Sequence, residues 1–212
     1  MSAEDLIGHL SRDLSPVRPI SPWRRGGLLA VLALAVLAAV AGSAGLRADV
    51  LARLGLAYEV VQLGASTVTG ALGLLSAAML AQPDRTMAWA LLPLPPAILW
   101  VSVLGLGCLQ DMARMGDAAL ALQTSWGCFR FILGFGLPMT AVAMLLLRHA
   151  WPIRPVPVAV LAALGIAGFC STALSLIHHL DTGLMVLVWH GASAATLLLA
   201  WSLLGRLVPR RA

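Results

Sequence analysis

Apolar runs of about twenty residues alternate with short polar connections, and the pattern repeats six times along the chain. A helix of that length matches the ~30 Å hydrocarbon thickness of a bilayer, where each backbone N–H and C=O must be satisfied within the segment. The sequence therefore predicts an all-α polytopic membrane protein with six transmembrane helices, preceded by a short amphipathic helix. The spans read approximately as Gly26–Gly45, Val60–Ala81, Ala88–Leu109, Trp126–Leu147, Val156–Ile177 and Leu184–Leu204. With 60% hydrophobic and 11% charged residues among 212, a water-soluble enzyme is excluded. The first run, behind Arg24 and Arg25, is too long for the apolar part of a signal peptide and reads as a retained helix.

All 14 basic residues are Arg. With the N-terminus inside, ten of them, among them Arg12, Arg18, Arg24, Arg25 and Arg206, fall on inner segments; Arg47, Arg53, Arg114 and Arg130 fall near outer ends. Short Arg-rich flanks resist translocation, so both termini are expected in the cytoplasm. The positive charge thus reports topology and membrane lipid, with no direct nucleic-acid contact implied. The chain divides into a cytoplasmic segment, residues 1–25, and a membrane domain, residues 26–212.

Inside the spans, Ser66, Gly70 and Gly73, and likewise Gly165 and Gly168, form small faces along which helices can approach closely. Pro93, Pro95 and Pro96 must kink or unwind the third span. The outer connections Leu46–Glu59 and Gln110–Ser125 are semi-amphipathic and are expected to lie on the outer interface. No acidic residue falls at mid-bilayer depth, and neither G-x-S-x-G nor H-E-x-x-H occurs, so no catalytic machinery and no enzyme is indicated. Three Cys without C-x-x-C give neither a disulfide framework nor a zinc knuckle, and no cofactor is implied.

The opening residues describe a bounded helix, with Ser2 and Asp5 spaced as a capping box and Pro16 beyond its end. Leu6, Leu10 and Leu14, with Ile7 beside them, make one apolar stripe, while Asp5, Arg12 and Asp13 occupy the other faces. A helix of about a dozen residues is marginal in water and orders when its stripe is covered. A protein partner, the lipid surface and the chain's own inner loops are the three ways of covering it.

The run D-L-I-G-H-L-S-R-D-L-S-P-V at Asp5–Val17 resembles the N-terminal signature of NrsF-type membrane anti-sigma factors, bacterial negative regulators of sigma-F. The six spans agree, and so do Cys128, Ile177–Asp181, Val188–Gly191 and Gly205-Arg206, so the likeness covers nearly the whole length. The resemblance implies that the cytoplasmic segment holds an extracytoplasmic-function sigma factor away from RNA polymerase. Asp5, Leu6, Leu10, Asp13, Leu14, Pro16 and Val17 match the signature and are the candidate contacts. An amphipathic helix laid in a groove would use such anchors at i, i+4 and i+8.

By depth along the helices, Cys108, Cys128, Cys170, His178, His179 and His190 fall in the outer half. Thiol and imidazole together suit soft metals and oxidants, which makes Cys128, His178, His179, Cys108 and Cys170 the candidate sensing residues. Blander roles stand beside this one: Cys170 as a small packing residue, His178 and His179 with Asp181 as a wetted loop, and His190 bonded to a neighbouring helix. Members of the resembled family carry two cysteines, one at the start of the fourth span and one just after the fifth. Cys128 matches the first, and His179 stands at the second, so the resemblance does not carry over a simple disulfide switch. A membrane redox enzyme or small-solute carrier, and a passive assembly subunit, are the competing functional classes.

Overall fold

The computed structural model describes residues 2–12, 21–120, 125–147, 154–178 and 183–207. Among these residues it is helical without strands, and its elements are α1 (Ala3–Ser11), α2 (Pro22–Ala44), α3 (Val50–Leu54), α4 (Ala57–Leu80), α5 (Leu94–Met115), α6 (Trp126–Leu147), α7 (Pro155–Ile177) and α8 (Gly183–Leu207). Six of the helical segments are long and apolar enough to cross a membrane, at the expected places in the chain.

Direction follows from what meets at each end. The N–H of Arg47, just past α2, donates to the Leu176 carbonyl near the end of α7 at 3.0 Å. His178 lies against Gly127 at the start of α6, and Gly183 at the start of α8 lies on the backbone of Cys108 in α5. These contacts define the far end. At the near end Trp23 packs edge-on against Trp89, with ring centroids 5.7 Å apart, and Gly205 rests on Val156. Helices α2, α5 and α7 thus run one way and α4, α6 and α8 the other.

The centre is a single pair, α4 against α7. Within their apolar windows 61% and 67% of residues are buried, against 22–28% in the other spans. The small residues explain this. A Cβ on Gly73 would lie 2.8 Å from the Gly165 Cα, and one on Gly168 would lie 2.7 Å from the Ser66 carbonyl oxygen. The two backbones therefore touch, as the small faces read from sequence require. Hydroxyls tie the seam: Ser66 and Thr172 are 2.8 Å apart, and Gln62 donates to Ser175 at 3.4 Å.

The outer helices bury one stripe each and leave apolar side chains facing outward, the pattern of helices surrounded by lipid. In α2 the stripe is Gly26, Leu29, Ala33, Leu37 and Ala41. In α6 it is Cys128, Ile132, Gly136, Thr140, Ala143 and Leu147, and the helix accommodates Pro138 in its interior.

The third span unwinds rather than kinks. A 3-10 turn, Met87–Leu91, precedes α5, whose first turn takes Pro95 and Pro96 behind Pro93 as its cap. First-turn amides have no acceptor within the helix, so proline loses nothing there. The connection after α2 sorts its residues differently from the amphipathic expectation. Leu46, Leu51 and Leu54 are exposed, whereas Arg47 is buried, because the guanidinium turns inward onto the end of α7.

Candidate functional site

Two regions concentrate the residues that sequence reasoning singled out. The first is α1. Ser2 caps it, its hydroxyl oxygen accepting from the Asp5 N–H at 3.1 Å. The Asp5 carboxylate accepts in return from the Ser2 N–H at 2.9 Å and the Ser2 hydroxyl at 2.8 Å. These bonds, the backbone one foremost, hold the Asp5 carboxyl below its ordinary pKa. The capping box expected from sequence is therefore formed. Leu6, Ile7 and Leu10 are 42%, 65% and 63% exposed, and α1 buries no residue at all. Asp13, Leu14, Pro16 and Val17 lie outside the described residues.

The second region is the far end of the bundle. Arg47, 6% exposed, donates from Nε and Nη2 to the two oxygens of Asp49 at 2.6 and 3.0 Å, and from Nη1 to the His178 carbonyl at 3.3 Å. Arg53 donates from Nε to Asp49 at 3.1 Å and from Nη1 to Glu59 Oε1. Tyr58 adds its hydroxyl to the same Glu59 oxygen at 3.1 Å. The Arg47 hydrogen bonds, ahead of those from Arg53, hold the Asp49 carboxyl far below the usual carboxylate range. This charged cluster closes one side of a cavity of about 330 Å³, whose other walls are the end of α5, the end of α7 and the start of α8.

His178 and His190 both line that cavity. His190 is buried, with Nδ1 2.7 Å from the Ser171 hydroxyl, so the expected bond to a neighbouring helix is present. The cysteines stand on three helices, and all three thiols are free. Cys128, fully buried, accepts a hydrogen bond from the Ser125 hydroxyl at 3.2 Å. Cys170 shares its apolar cluster in the interior, and Cys108 is half-buried beside Gly183.

The structure thus brings His178 next to Gly127, one residue from Cys128, and sets Cys108 at the α5–α8 contact. Among the described residues no group of three or more His, Cys, Asp and Glu side chains is placed to hold a metal ion. His179 and Asp181 lie outside those residues.

Sequence reasoning missed the Arg47–Asp49–Arg53–Glu59 network. Alternating charges at close spacing in one short connection, with Asp49 and Arg53 four residues apart, carried the signal.

A family model described as NrsF, negative regulator of sigma F, matches residues 10–210. The chain belongs to the NrsF family. This membership makes it a negative regulator of a sigma factor, with a sigma factor as its partner. The match takes in Leu10 and everything that follows in the candidate contacts, as well as all three cysteines, while Asp5 and Leu6 precede it. No curated protein and no solved structure matches the chain.

Proposed function

We propose that this NrsF-family member is a bacterial inner-membrane anti-sigma factor, both termini cytoplasmic, that holds an extracytoplasmic-function sigma factor through residues 1–25 while residues 26–212 form the membrane domain. The observation that carries this is α1 itself. It is capped by its own side chains, yet the ridge of Leu6, Ile7 and Leu10 is uncovered and no α1 residue is buried on the bundle. An amphipathic helix so arranged gains stability by entering a groove on another protein. Asp5, Leu6, Leu10, Asp13, Leu14, Pro16 and Val17 make that contact. The flanking Asp5 and Asp13 suit a protein groove better than an anionic lipid surface.

Release follows a metal or oxidative signal received at the far end, which the Arg distribution sets outside. Cys128, His178, His179, Cys108 and Cys170 are the receiving residues. His178 beside the start of α6 supports a role for the Cys128 neighbourhood, where oxidation or metal capture at a thiol would disturb the contact of α6 with α7.

Deleting residues 2–17 tests the contact. A sigma-dependent promoter should then fire constitutively, and the Leu6→Glu/Leu10→Glu double variant should do the same while membrane levels of the protein stay normal. Promoter output unchanged in both strains removes the sigma contact from this segment.

A further inference from the structure

The charges at the far-end cavity do not all cancel. Arg47 and Arg53 are closed by Asp49 and Glu59. Two lining charges have no ion-pair partner among the described residues, the Asp111 carboxylate and, one turn further along α5, the Arg114 guanidinium. Among the described residues Asp111 accepts the Gly183 N–H alone, at 2.6 Å.

A third group sits deeper. His190 is 2% exposed, and its Nε2 has no hydrogen-bond partner among the described residues. Ser171, 1% exposed, has a single partner for its hydroxyl among the described residues, His190 Nδ1. Only a hydroxyl that donates to Nδ1 keeps its own proton satisfied, and Nε2 then carries the ring hydrogen. The cavity wall thus includes an N–H with no acceptor among the described residues, a group that is costly to bury unsatisfied. Val103, Leu104, Leu174 and Val186 supply apolar surface between these polar groups. A cavity of about 330 Å³ with a few converging polar groups on an apolar lining has the make-up of a small-molecule site.

We propose that this cavity binds a small zwitterion, a molecule that carries an ammonium group and an anionic oxygen group on neighbouring carbons. The uncancelled charges decide the class, being one of each sign. A simple anion would meet Asp111 and a simple cation would meet Arg114 without compensation, whereas a zwitterion satisfies both. Asp111 faces the ammonium, Arg114 the anionic group, and His190 Nε2–H donates to an oxygen. The aliphatic lining accepts a side chain of leucine size. The same headgroup chemistry occurs in free amino acids and in phosphatidylethanolamine, and the two sources separate experimentally.

Binding alone reads this out, independently of any sigma factor. The full-length protein, purified in a neutral sugar detergent, is titrated by calorimetry with each standard L-amino acid. Isocaproate and isoamylamine, which are leucine without its amine and without its carboxylate, serve as single-charge controls, and O-phosphoethanolamine represents the lipid headgroup. Saturable binding of a zwitterion, with either single-charge analogue at least about tenfold weaker, is expected. Asp111→Asn and Arg114→Gln, both outside the buried interior, should each weaken binding about tenfold without altering the unfolding temperature. Phosphoethanolamine preferred over every amino acid, with phosphatidylethanolamine retained through purification, assigns the lipid as source. The proposal is overturned if none of the zwitterions binds saturably, if isocaproate equals leucine, or if both variants bind like the parent.

Discussion

α1 and the α4–α7 pair stabilise a helix in opposite ways. α1 is nine residues long, buries nothing, and is held by reciprocal hydrogen bonds between Ser2 and Asp5. Neither α4 nor α7 has a side-chain cap bond, yet most of their apolar windows are buried. Where packing is dense, end groups contribute little; where packing is absent, the cap defines where the helix begins. The difference separates roles as well. The seam is a fixed frame with no room to move, and α1 is a surface whose apolar side no described part of the bundle buries.

The largest effect belongs to the seam. Gly168→Ala would put a methyl 2.7 Å from the Ser66 carbonyl oxygen, a backbone atom that cannot rotate away, so α4 and α7 must separate. A loss of about 3 kcal/mol or more is expected, seen as a lower unfolding temperature in detergent or as failure to purify monodisperse. Gly134→Ala on α6, where a Cβ meets nothing within 4 Å, should leave stability unchanged or raise it by up to about 1 kcal/mol. Equal behaviour of the two variants would break the distinction between seam and periphery.

The far-end connection lies between these extremes, held to the bundle by the buried Arg47 side chain, by the Arg47 N–H on the Leu176 carbonyl and by Arg53 on Glu59. Arg47→Ala removes two bonds to Asp49 and one to the His178 carbonyl, and should cost about 2 kcal/mol. Amide exchange at Val50 and Gly55 should quicken while the seam amides keep their protection. Asp49 adds a pH signature. Its folded pKa is depressed, chiefly by Arg47, so its contribution is full above the ordinary value of 3.8 and is lost only as the pH falls through the lower folded value. A connection that loosens already at pH 5 would contradict that ordering.

Span number and the small-residue seam were legible because each is a local pattern: hydropathy over about twenty residues, and Gly or Ser at helical spacing on two segments. The capping box was legible for the same reason, since Ser2 and Asp5 are three residues apart. The cavity was not. Arg47 reaches a carbonyl 131 positions away, and His190 faces Ser171 across a helix boundary, so both depend on how the helices are arranged around one another. Amphipathic spacing in Leu46–Glu59 did not give the sorting of Arg47, because the carbonyl that draws the guanidinium inward lies at the distant end of α7. The third-span prolines marked a break correctly, and only the backbone shows that they start α5 instead of bending it.

The smallest effect sharpens the comparison at α1. Ser2→Ala removes the hydroxyl that accepts from the Asp5 N–H and also donates to its carboxylate, but leaves the backbone N–H of residue 2 in place. Because that backbone bond is the leading cause of the depressed Asp5 pKa, the carboxyl should move only part of the way back toward 3.8. The sign is fixed by the depression: the box is intact above 3.8 and opens as the pH falls through the folded value, which lies higher in the variant. Carboxyl carbon shifts of the labelled full-length protein in micelles would follow this titration. Faster exchange at the Asp5 amide should accompany it, while the unfolding temperature of the bundle stays where it was, since α1 contributes no buried residue to it. A fall in that temperature would mean that α1 is packed against the spans, and its exposed ridge would then be unavailable to a partner.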